Sequence, residues 1–558
     1  MAIREGYYSA HLHLHSCFES AASMGGHCFQ AKRLGVDVVW ITDHDRRICW
    51  KQDEAFWGDD FERQQLAMPV KNGFDGWRVA ALDDGVTGEA ELAKGVCLSG
   101  KQSMRIWARS SHAREEWGSL RVDFSAEGRK HQRSLLTGVS INLSLRPERG
   151  FGENGRLRIF VELSQQPPSL DKESLTYVVG ESNEGDGLIP LGDLKIGEWN
   201  ALHLNLTEDA RKHAKGGIDN VFGSLSLLLG SRKGELVEVY VDDFLLDQVY
   251  RRQAAHDRQK ELAAELSDGY GVTVHIGTEM STSGQHYNAF GSWIPVPDRN
   301  LKPEGYSEDK IVAYVKLRGG AIAFNHPFSK WKRQDLTNEG REQTVRSLIE
   351  SYKENRCHGV DLIDVGYPMG RHGFPLRDYL KLWDGLSCAG IVIAGIGVSD
   401  AHNNQSGWES GNNFVNWIRS KSTEERDLIR GLLSGDVYMG DPTVFRGEME
   451  FLTTEGHRMG QIVVGKEHLD VLFRVTGCRS GWKVYWIVNG MREKVLDVYD
   501  ENFEFQGAIG IKDFSFTRFE VYGEDTRCIL LTNPIYFAKR RLPELPQHKV
   551  AQSAELKG

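Results

Sequence analysis

Three histidines alternate with leucines near the start of the chain, where residues 11–16 read HLHLHS. Side chains of a β-strand point alternately to its two faces, so an extended backbone places these three imidazoles on one face. Neighbouring imidazoles repel one another when protonated and make a poor apolar core, but they are good metal ligands. The alternative is a solvated strand face, and ligands elsewhere in the chain decide between the two.

The residues that follow predict a βαβ unit. Residues 27–34 have a helical pattern that stops at Gly35, a residue suited to a helix C-terminus. Residues 36–41 (VDVVWI) then read as a buried parallel strand, which leads into residues 42–45 (TDHD). Polar residues therefore follow both strands at their carboxyl ends, the edge at which α/β sheets and barrels bind ligands.

The same rhythm returns after residue 251, where apolar strands lead into the motifs GTE, NHP and SDAH. Between about residues 72 and 250 the chain instead contains short alternating segments separated by Gly, Ser, Asn and Asp. Such segments are typical of an antiparallel β-sandwich or jelly roll. The predicted fold class is therefore α/β, interrupted by an inserted β-sandwich.

Four regions are predicted from these patterns. Residues 1–60 and 251–445 form the α/β part, and residues 72–250 form the inserted sandwich, whose strands are similar at fold level to galactose-binding and carbohydrate-binding modules. Residues 446–540 form a small C-terminal β-sandwich. Residues 541–558 are polar and contain proline, so we expect a disordered tail.

The polar residues at the predicted strand ends form one candidate metal site. They comprise six imidazoles and two carboxylates: His13, His15, His44, Glu279, His286, His326, Asp400 and His402. Any one of these histidines alone is explained as a core residue, but the whole set is not. Mixed nitrogen and oxygen ligands suit Zn, Mn or Fe better than Ca or Mg.

The motifs HLHLHS, ITDHD, GTE, GQHYNAFG, NHP and GVSDAH, in this order, resemble those of the PHP (polymerase and histidinol phosphatase) family. GQHYNAFG, GVSDAHN and the later TNPIYF are most similar to its CehA/McbA-like branch, which contains metallohydrolases with added β-domains, including an aryl carbamate hydrolase. The resemblance implies a distorted, TIM-like (β/α)7 barrel that carries two or three divalent metal ions.

The resemblance also implies roles for individual residues. His13, His15, His44, His286, His326, Asp400 and His402 would be metal ligands, Glu279 a bridging carboxylate, and Asp43 a partner that orients an imidazole. Two positions depart from the family pattern. His11 stands where relatives carry Asp, and Glu19 lies near the place of a further ligand but out of register, which makes it a candidate ligand for a third ion.

The predicted function is metal-dependent hydrolysis by an activated water, because no GxSxG nucleophile motif is present. A phosphoesterase acting on a small phosphomonoester or phosphodiester, which could contain a sugar, is the first hypothesis. The catalytic candidates are His402, Asp400, Glu279 and the phosphate-binding cation Arg46, with Arg371 and His372 in weaker positions. The alternatives are a carboxylic or carbamate ester hydrolase and a carbohydrate-binding protein with a relic barrel.

Composition excludes other classes. A net charge of −10 argues against a nucleic-acid partner, which normally requires a basic surface. The longest apolar runs are too short to span a bilayer, so no membrane partner is expected. With eight scattered cysteines and no apolar leader at the N-terminus, we expect a cytoplasmic enzyme.

Overall fold

The computed structural model divides the chain into two compact units. The first unit comprises Met1–Ser16, His27–Arg46 and Gln259–Gly558, and the second comprises Cys17–Gly26 and Arg47–Arg258. The structure describes residues 6–16, 18–20, 22–45, 57–70, 73–125, 135, 138–165, 172–179, 187–214, 220–248, 250, 252–282, 285–297, 307–331, 337–511, 513–541, 543 and 545–551. None of the helices in these ranges is long and apolar enough to cross a membrane.

The chain begins with the predicted βαβ unit: β1 (Gly6–Leu14), α1 (Met24–Leu34) and β2 (Val38–Ile41). β1 and β2 pair in parallel. The left-handed φ of +69° at Gly35 ends α1, and the amide of Val36 donates to a carbonyl in the last turn of the helix. The helix stop and the buried strand predicted from sequence are therefore confirmed.

The second unit is a β-sandwich, as predicted. Its elements are β3 (Trp57–Asp59), β4 (Ala67–Val70), β5 (Gly73–Leu82), β6 (Val86–Lys94), β7 (Gln102–Ser110), β8 (Gly118–Ser125), β9 (Val139–Arg149), β10 (Gly155–Gln165), β11 (Lys172–Val179), β12 (Leu188–Pro190), β13 (Asn200–Asn205), α2 (Leu206–His213), β14 (Asn220–Ser231) and β15 (Leu236–Gln248).

These strands form two sheets, in the orders β12-β11-β10-β14-β8-β5-β4 and β13-β9-β15-β7-β6, with β3 beside β15. Every second residue of β8 is buried, including Leu120 and Val122, as expected for a strand with one face towards a core. Met104 and Ile106 of β7, in the other sheet, belong to the same apolar cluster. The two sheets therefore share one core.

Helices and strands follow the sandwich, and from Gln259 onward they belong to the first unit. They are α3 (Arg252–Tyr270), β16 (Thr273–Ile276), β17 (Thr278–Ser281), β18 (His286–Phe290), α4 (Glu308–Lys316), β19 (Ala321–Phe324), α5 (Asn338–Glu354), β20 (Leu362–Gly366), α6 (Leu376–Cys388), β21 (Ala394–Gly397), β22 (Val415–Ser420), α7 (Glu425–Ser434) and β23 (Val437–Gly440). β16 pairs with β2, β19 with β20, and β20 with β21, all in parallel. The predicted βα rhythm is therefore present.

Over the described residues, the strands do not close into one hydrogen-bonded barrel. β16, β2, β1, β22 and β23 lie in one sheet, whereas β17 to β21 form a second sheet. β16 and β17 are separated at Gly277, whose amide bonds Ile41. Between β21 and β22, the amide side chain of Asn416 bonds both the N–H and the C=O of Gly397, in place of a backbone ladder. The expected TIM-like barrel is therefore not confirmed.

Six of the nine remaining strands that the structure describes extend the first sheet. The nine strands are β24 (Met449–Thr453), β25 (Ile462–Val464), β26 (His468–Val475), β27 (Lys483–Val488), β28 (Met491–Asp497), β29 (Phe503–Gly510), β30 (Phe514–Tyr522), β31 (Cys528–Thr532) and β32 (Ile535–Ala538). β31 pairs with β23, so these strands belong to the first compact unit. β24, β26 and β29 form a separate small sheet.

Part of the segment expected to be a disordered tail makes contacts with the first unit. Leu545 is buried among apolar side chains, and the amide of Ala551 donates to the carbonyl of Ile462. Residues 545–551 therefore contact the strands of the first unit, and disorder of the tail stays a prediction. Residues 552–558 lie outside the described residues.

A buried ion-pair network joins β30 to α6. Arg518 donates two hydrogen bonds of 2.7 Å to Asp384 and one of 2.6 Å to Glu520. We expect Arg518→Ala to lower the free energy of unfolding by about 3–5 kcal/mol, because it leaves buried carboxylates without a cation. Urea denaturation measures this change. Arg474→Ala removes an arginine whose side chain is half exposed, and a loss of similar size in this control would contradict the prediction.

Candidate metal centre

The carboxylate of Glu279 lies at the middle of the candidate site. Glu279 is in β17, is fully buried, and its amide donates to the carbonyl of Asp43 just after β2. Its Oε2 atom lies 3.4 Å from Nε2 of His13. The same oxygen lies 3.2 Å from Nε2 of His15 and 3.2 Å from Nε2 of His44. Three imidazoles from the ends of β1 and β2 therefore converge on one carboxylate oxygen.

The other oxygen of Glu279 faces a second set of polar groups. Nδ1 of His286, in β18, lies 2.8 Å from Oε1, and Nε2 of His326, just after β19, lies 3.2 Å from it. The side-chain amide of Asn325 donates to the same oxygen over 3.0 Å. Glu279 therefore spans two groups of imidazoles, which is the arrangement of a carboxylate that bridges two cations.

Asp400 and His402 follow β21 and complete the site. Oδ1 of Asp400 lies 2.8 Å from Nε2 of His15 and 3.6 Å from Nε2 of His13. Backbone bonds hold this loop beside β1, because the amide of Asp400 donates to the carbonyl of His13 over 3.1 Å. Nδ1 of His402 donates to the carbonyl of Asp400, and 40% of the His402 side chain is exposed. His402 is therefore the most accessible of these imidazoles.

The buried charges are strongly coupled. Burial raises the pKa of Glu279, but the charges of His44 and His13 outweigh burial and hold that pKa well below its usual range. Burial likewise raises the pKa of Asp400, and Arg371 and His13 reverse the effect. Burial lowers the pKa of His13, whereas Glu279 and Asp400 raise it, to about 9 in total. Both carboxylates are therefore anionic and attract positive charge to the site.

The donor atoms fit divalent ions. The ligand atoms of His13, His15, Glu279 and Asp400 all lie within 4.8 Å of one another, and His44, Glu279 and His286 form a second such group. Two atoms that each lie about 2.1 Å from a tetrahedral ion are about 3.4 Å apart. The separations of 3.2 and 3.4 Å around Oε2 of Glu279 agree with that value. These groups could therefore hold two ions, with Glu279 between them.

Further residues orient these ligands. From the sequence, Asp364 had no assigned role, and Arg371 was only a weaker catalytic candidate. Asp364 in β20 lies 3.4 Å from Nδ1 of His13 and accepts hydrogen bonds from the amide of His326 and the hydroxyl of Tyr367. Arg371 donates to Asp400 and to the carbonyl of Ser399. A carboxylate behind a ligating imidazole fixes its orientation. The sequence feature that could have identified Asp364 is the position of a charged residue within the apolar strand VDLIDVG.

Asp43 lies beside the imidazole of His15, and its predicted role of orienting an imidazole stays a prediction. Its Oδ1 atom lies 3.8 Å from Nδ1 of His15, which is beyond hydrogen-bond distance. The carboxylate accepts bonds from the backbone amide of Ser16 and from the side-chain amide of Gln259. Asp43 thus holds the backbone directly after the histidine strand.

His11 is separated from the carboxylates although it lies in the same strand as His13. Its Nε2 atom donates to the carbonyl of Gly407 over 2.9 Å, and its ring packs on Trp408. Trp408 donates to Nδ1 of His27, whose Nε2 in turn donates to the carbonyl of His15. Within the described residues His11 belongs to no group of candidate metal ligands, and it braces the loop after β21.

Two sequence candidates remain untested. Arg46, the expected phosphate-binding cation, lies outside the described residues. Glu19 is buried and belongs to the second compact unit, and its role as a ligand of a third ion stays a prediction. Arg371 is a cation that the structure does place at the site, through its bond to Asp400.

Comparisons with known proteins do not identify the chain. No family model matches the sequence. No curated protein matches it either.

The solved structures similar to this chain include carbohydrate-binding modules. One is described as a module of the β-sandwich superfamily with promiscuous specificity; it is 12% identical, and the match covers 37% of this chain and 64% of that chain with a TM-score of 0.22. The family 11 module from Clostridium thermocellum is 13% identical, with 35% and 95% covered and a TM-score of 0.21. The chain spans less than two thirds of the first of these structures. Similarity at this level carries no argument about function.

The histidine strand offers a matched pair of variants. We expect the double substitution of His13 and His15 by Ala to weaken metal binding by about 100-fold or more, because it removes two nitrogen donors beside Glu279. His11→Asn changes a buried histidine of the same strand and should keep the wild-type metal content. Elemental analysis after dialysis measures both proteins. Equal metal loss in the His11 variant would contradict the assignment.

Burial of His11 and His27 should make the folded protein less stable in acid. Burial lowers the pKa of His11 to about 3 and that of His27 to about 4. Their unfolded forms protonate near pH 6.5, so each contribution to stability is complete above that pH and is lost as the pH falls towards these values. The free energy of unfolding should fall by about 1.4 kcal/mol per pH unit for each histidine. Denaturation of His11→Asn between pH 4.5 and 6 should show a smaller dependence of the unfolding free energy on pH, because the contribution of one histidine is gone. An unchanged dependence would contradict the role given to His11.

Proposed function

We propose that the protein is a metal-dependent hydrolase of ester bonds, related to the PHP family that its motifs resemble, and that phosphoesters are its preferred substrates. The observation that carries this proposal is the position of Glu279, whose two carboxylate oxygens each face imidazole nitrogens at 2.8–3.4 Å. An ordinary apolar core does not contain a buried carboxylate surrounded by five imidazoles, because burying these polar groups costs free energy.

The chemistry follows from this donor set. Two divalent ions, when bound, would lower the pKa of a water molecule to near neutral, polarise the bond under attack and make the centre net positive. The chain contributes Arg371, which already offsets the charge of Asp400. A centre of this charge favours an anionic phosphoester over a neutral carbamate.

We assign proton transfer to His402. Its Nδ1–H bond to the carbonyl of Asp400 fixes the ring, and 40% of its side chain is exposed, so we assign the proton exchange to the other ring nitrogen, Nε2. In hydrolysis, the attacking water gives a proton to Nε2 of His402 as its oxygen forms a bond to phosphorus. The ester P–O bond breaks, and Nε2 returns this proton to the departing oxygen. The buried residues His13, His15 and Asp364 remain in place and keep the ligand geometry rigid.

A substrate panel tests this function. We expect the purified protein, loaded with Zn, Mn or Fe, to hydrolyse nitrophenyl phosphate or bis-nitrophenyl phosphate faster than naphthyl carbamate. Glu279→Gln should lower kcat/KM by about 1000-fold or more, because it removes the charge between the two groups of imidazoles. Removal of metal by a chelator should abolish turnover, and addition of metal should restore it.

The control is Glu455→Gln, which changes a glutamate that pairs with Lys466 in the C-terminal strands. It should retain wild-type rates. Activity confined to the carbamate would replace the phosphoesterase by a carbamate ester hydrolase. A protein with full metal content and no turnover on any of the three substrates would refute the hydrolase and favour the binding protein.

A further inference from the structure

A second polar cavity lies in the first unit, outside the metal centre. It has a volume of about 200 Å³ and lies where β22, α7 and the segment before β25 meet. Its charged lining consists of Arg419, Lys421, Arg430, Arg458, Asp427 and Asp436. The metal centre uses none of these residues.

The cavity is positively charged in a negatively charged chain. Four cationic side chains face two carboxylates, which leaves an excess of two positive charges, whereas the whole chain has a net charge of −10. Cations gathered in a concave site raise the local concentration of anions. The lining of the cavity is therefore positive, whereas the chain as a whole is negative.

Several hydrogen-bond donors of the lining are not used within the described residues. The guanidinium of Arg458 has its nearest carboxylate oxygens at 3.8 Å, on Asp436, and 3.9 Å, on Glu450, both beyond hydrogen-bond distance. Lys421 forms no ion pair with any described residue. Gln461 accepts from the amide of Arg458 through Oε1, and its amide nitrogen has no bond to a described residue.

Asp436 holds the cavity in shape. It is buried, and its Oδ1 accepts a hydrogen bond of 2.7 Å from the hydroxyl of Tyr7. Its Oδ2 lies 3.5 Å from Nη1 of Arg419 and 3.8 Å from Nη1 of Arg458. The carboxylate of Asp436 thus bonds Arg419 and lies between the two guanidinium groups. Preorganised donors bind a ligand at lower entropic cost than mobile surface side chains.

We propose that this cavity is a binding site for a small phosphate-bearing anion. Arginine guanidinium groups and a lysine ammonium group bind phosphate oxygens, and the side-chain amide of Gln461 adds a neutral hydrogen-bond donor. The volume is smaller than the roughly 300–1000 Å³ of sites for drug-sized ligands, so the ligand is inorganic phosphate or a small phosphomonoester. This inference does not depend on the proposed function of the metal centre.

The two sites lie at opposite ends of β1. Tyr7 pairs with Arg419 in the antiparallel ladder between β1 and β22, and His13 lies six residues further along β1. At about 3.3 Å per residue, roughly 20 Å separate the cavity end of the strand from the metal centre. An anion in the cavity therefore does not occupy the substrate position, and its binding stabilises the folded protein.

Titration calorimetry of the full-length protein with inorganic phosphate and with glycerol 3-phosphate tests the proposal. We expect saturable binding that weakens as NaCl increases, and Arg458→Gln should weaken it by about tenfold or more. Lys421→Gln, at an exposed position without an ion pair, should weaken it by about threefold and leave the fold unchanged. Tighter binding of glycerol 3-phosphate identifies an organic phosphomonoester, and equal or weaker binding identifies free phosphate.

Arg474→Gln is the matched control, because it removes an arginine that is half exposed and pairs with Glu504 outside the cavity. It should bind phosphate as the wild type does. Binding by Arg458→Gln and Lys421→Gln with wild-type affinity would show that phosphate binds elsewhere and would overturn the proposal. Absence of saturable binding up to about 10 mM of either probe would also overturn it.

Discussion

The structure of the first unit depends on the burial of the Glu279 carboxylate. An ion of this kind loses several kcal/mol of hydration when it leaves water, and only paired or hydrogen-bonded partners offset that loss. Five imidazoles and the amide of Asn325 surround it. Because β1, β2, β18 and β19 each bring one or two of these partners, the strands can be arranged in few ways that satisfy the charge.

The loop after β21 carries the remaining ligand groups and is held from two sides. Arg371 bonds both the side chain of Asp400 and the carbonyl of Ser399. On the other side, Trp408 contacts His11 and donates to His27. The buried imidazoles of His11 in β1 and His27 in α1 therefore position this loop, whereas His13 and His15, which follow His11 in the chain, are candidate ligands. The role of each of these histidines depends on whether its ring contacts a backbone carbonyl or a carboxylate.

Local sequence patterns predicted the residues of the candidate site more accurately than they predicted the closed barrel. The alternation in HLHLHS and the apolar runs before TDHD, NHP and SDAH were sufficient to bring the imidazoles to one edge, because parallel strands end together. They could not reveal Asp364 and Arg371 as orienting groups, since each acts through a neighbour that is close only in three dimensions. The closed barrel was not confirmed, because the side chain of Asn416 stands where a backbone ladder was expected.

The sequence by itself determined the α/β rhythm, the inserted β-sandwich and the set of side chains that can bind a metal, since these follow from periodicity and residue chemistry. The tertiary structure alone decided which histidine faces a carboxylate. His11, His13 and His15 are equivalent in the sequence pattern, yet His11 bonds the carbonyl of Gly407 and the other two face Glu279. The cavity around Arg458 also exists only in three dimensions, because it joins residues from β22, α7 and the segment before β25.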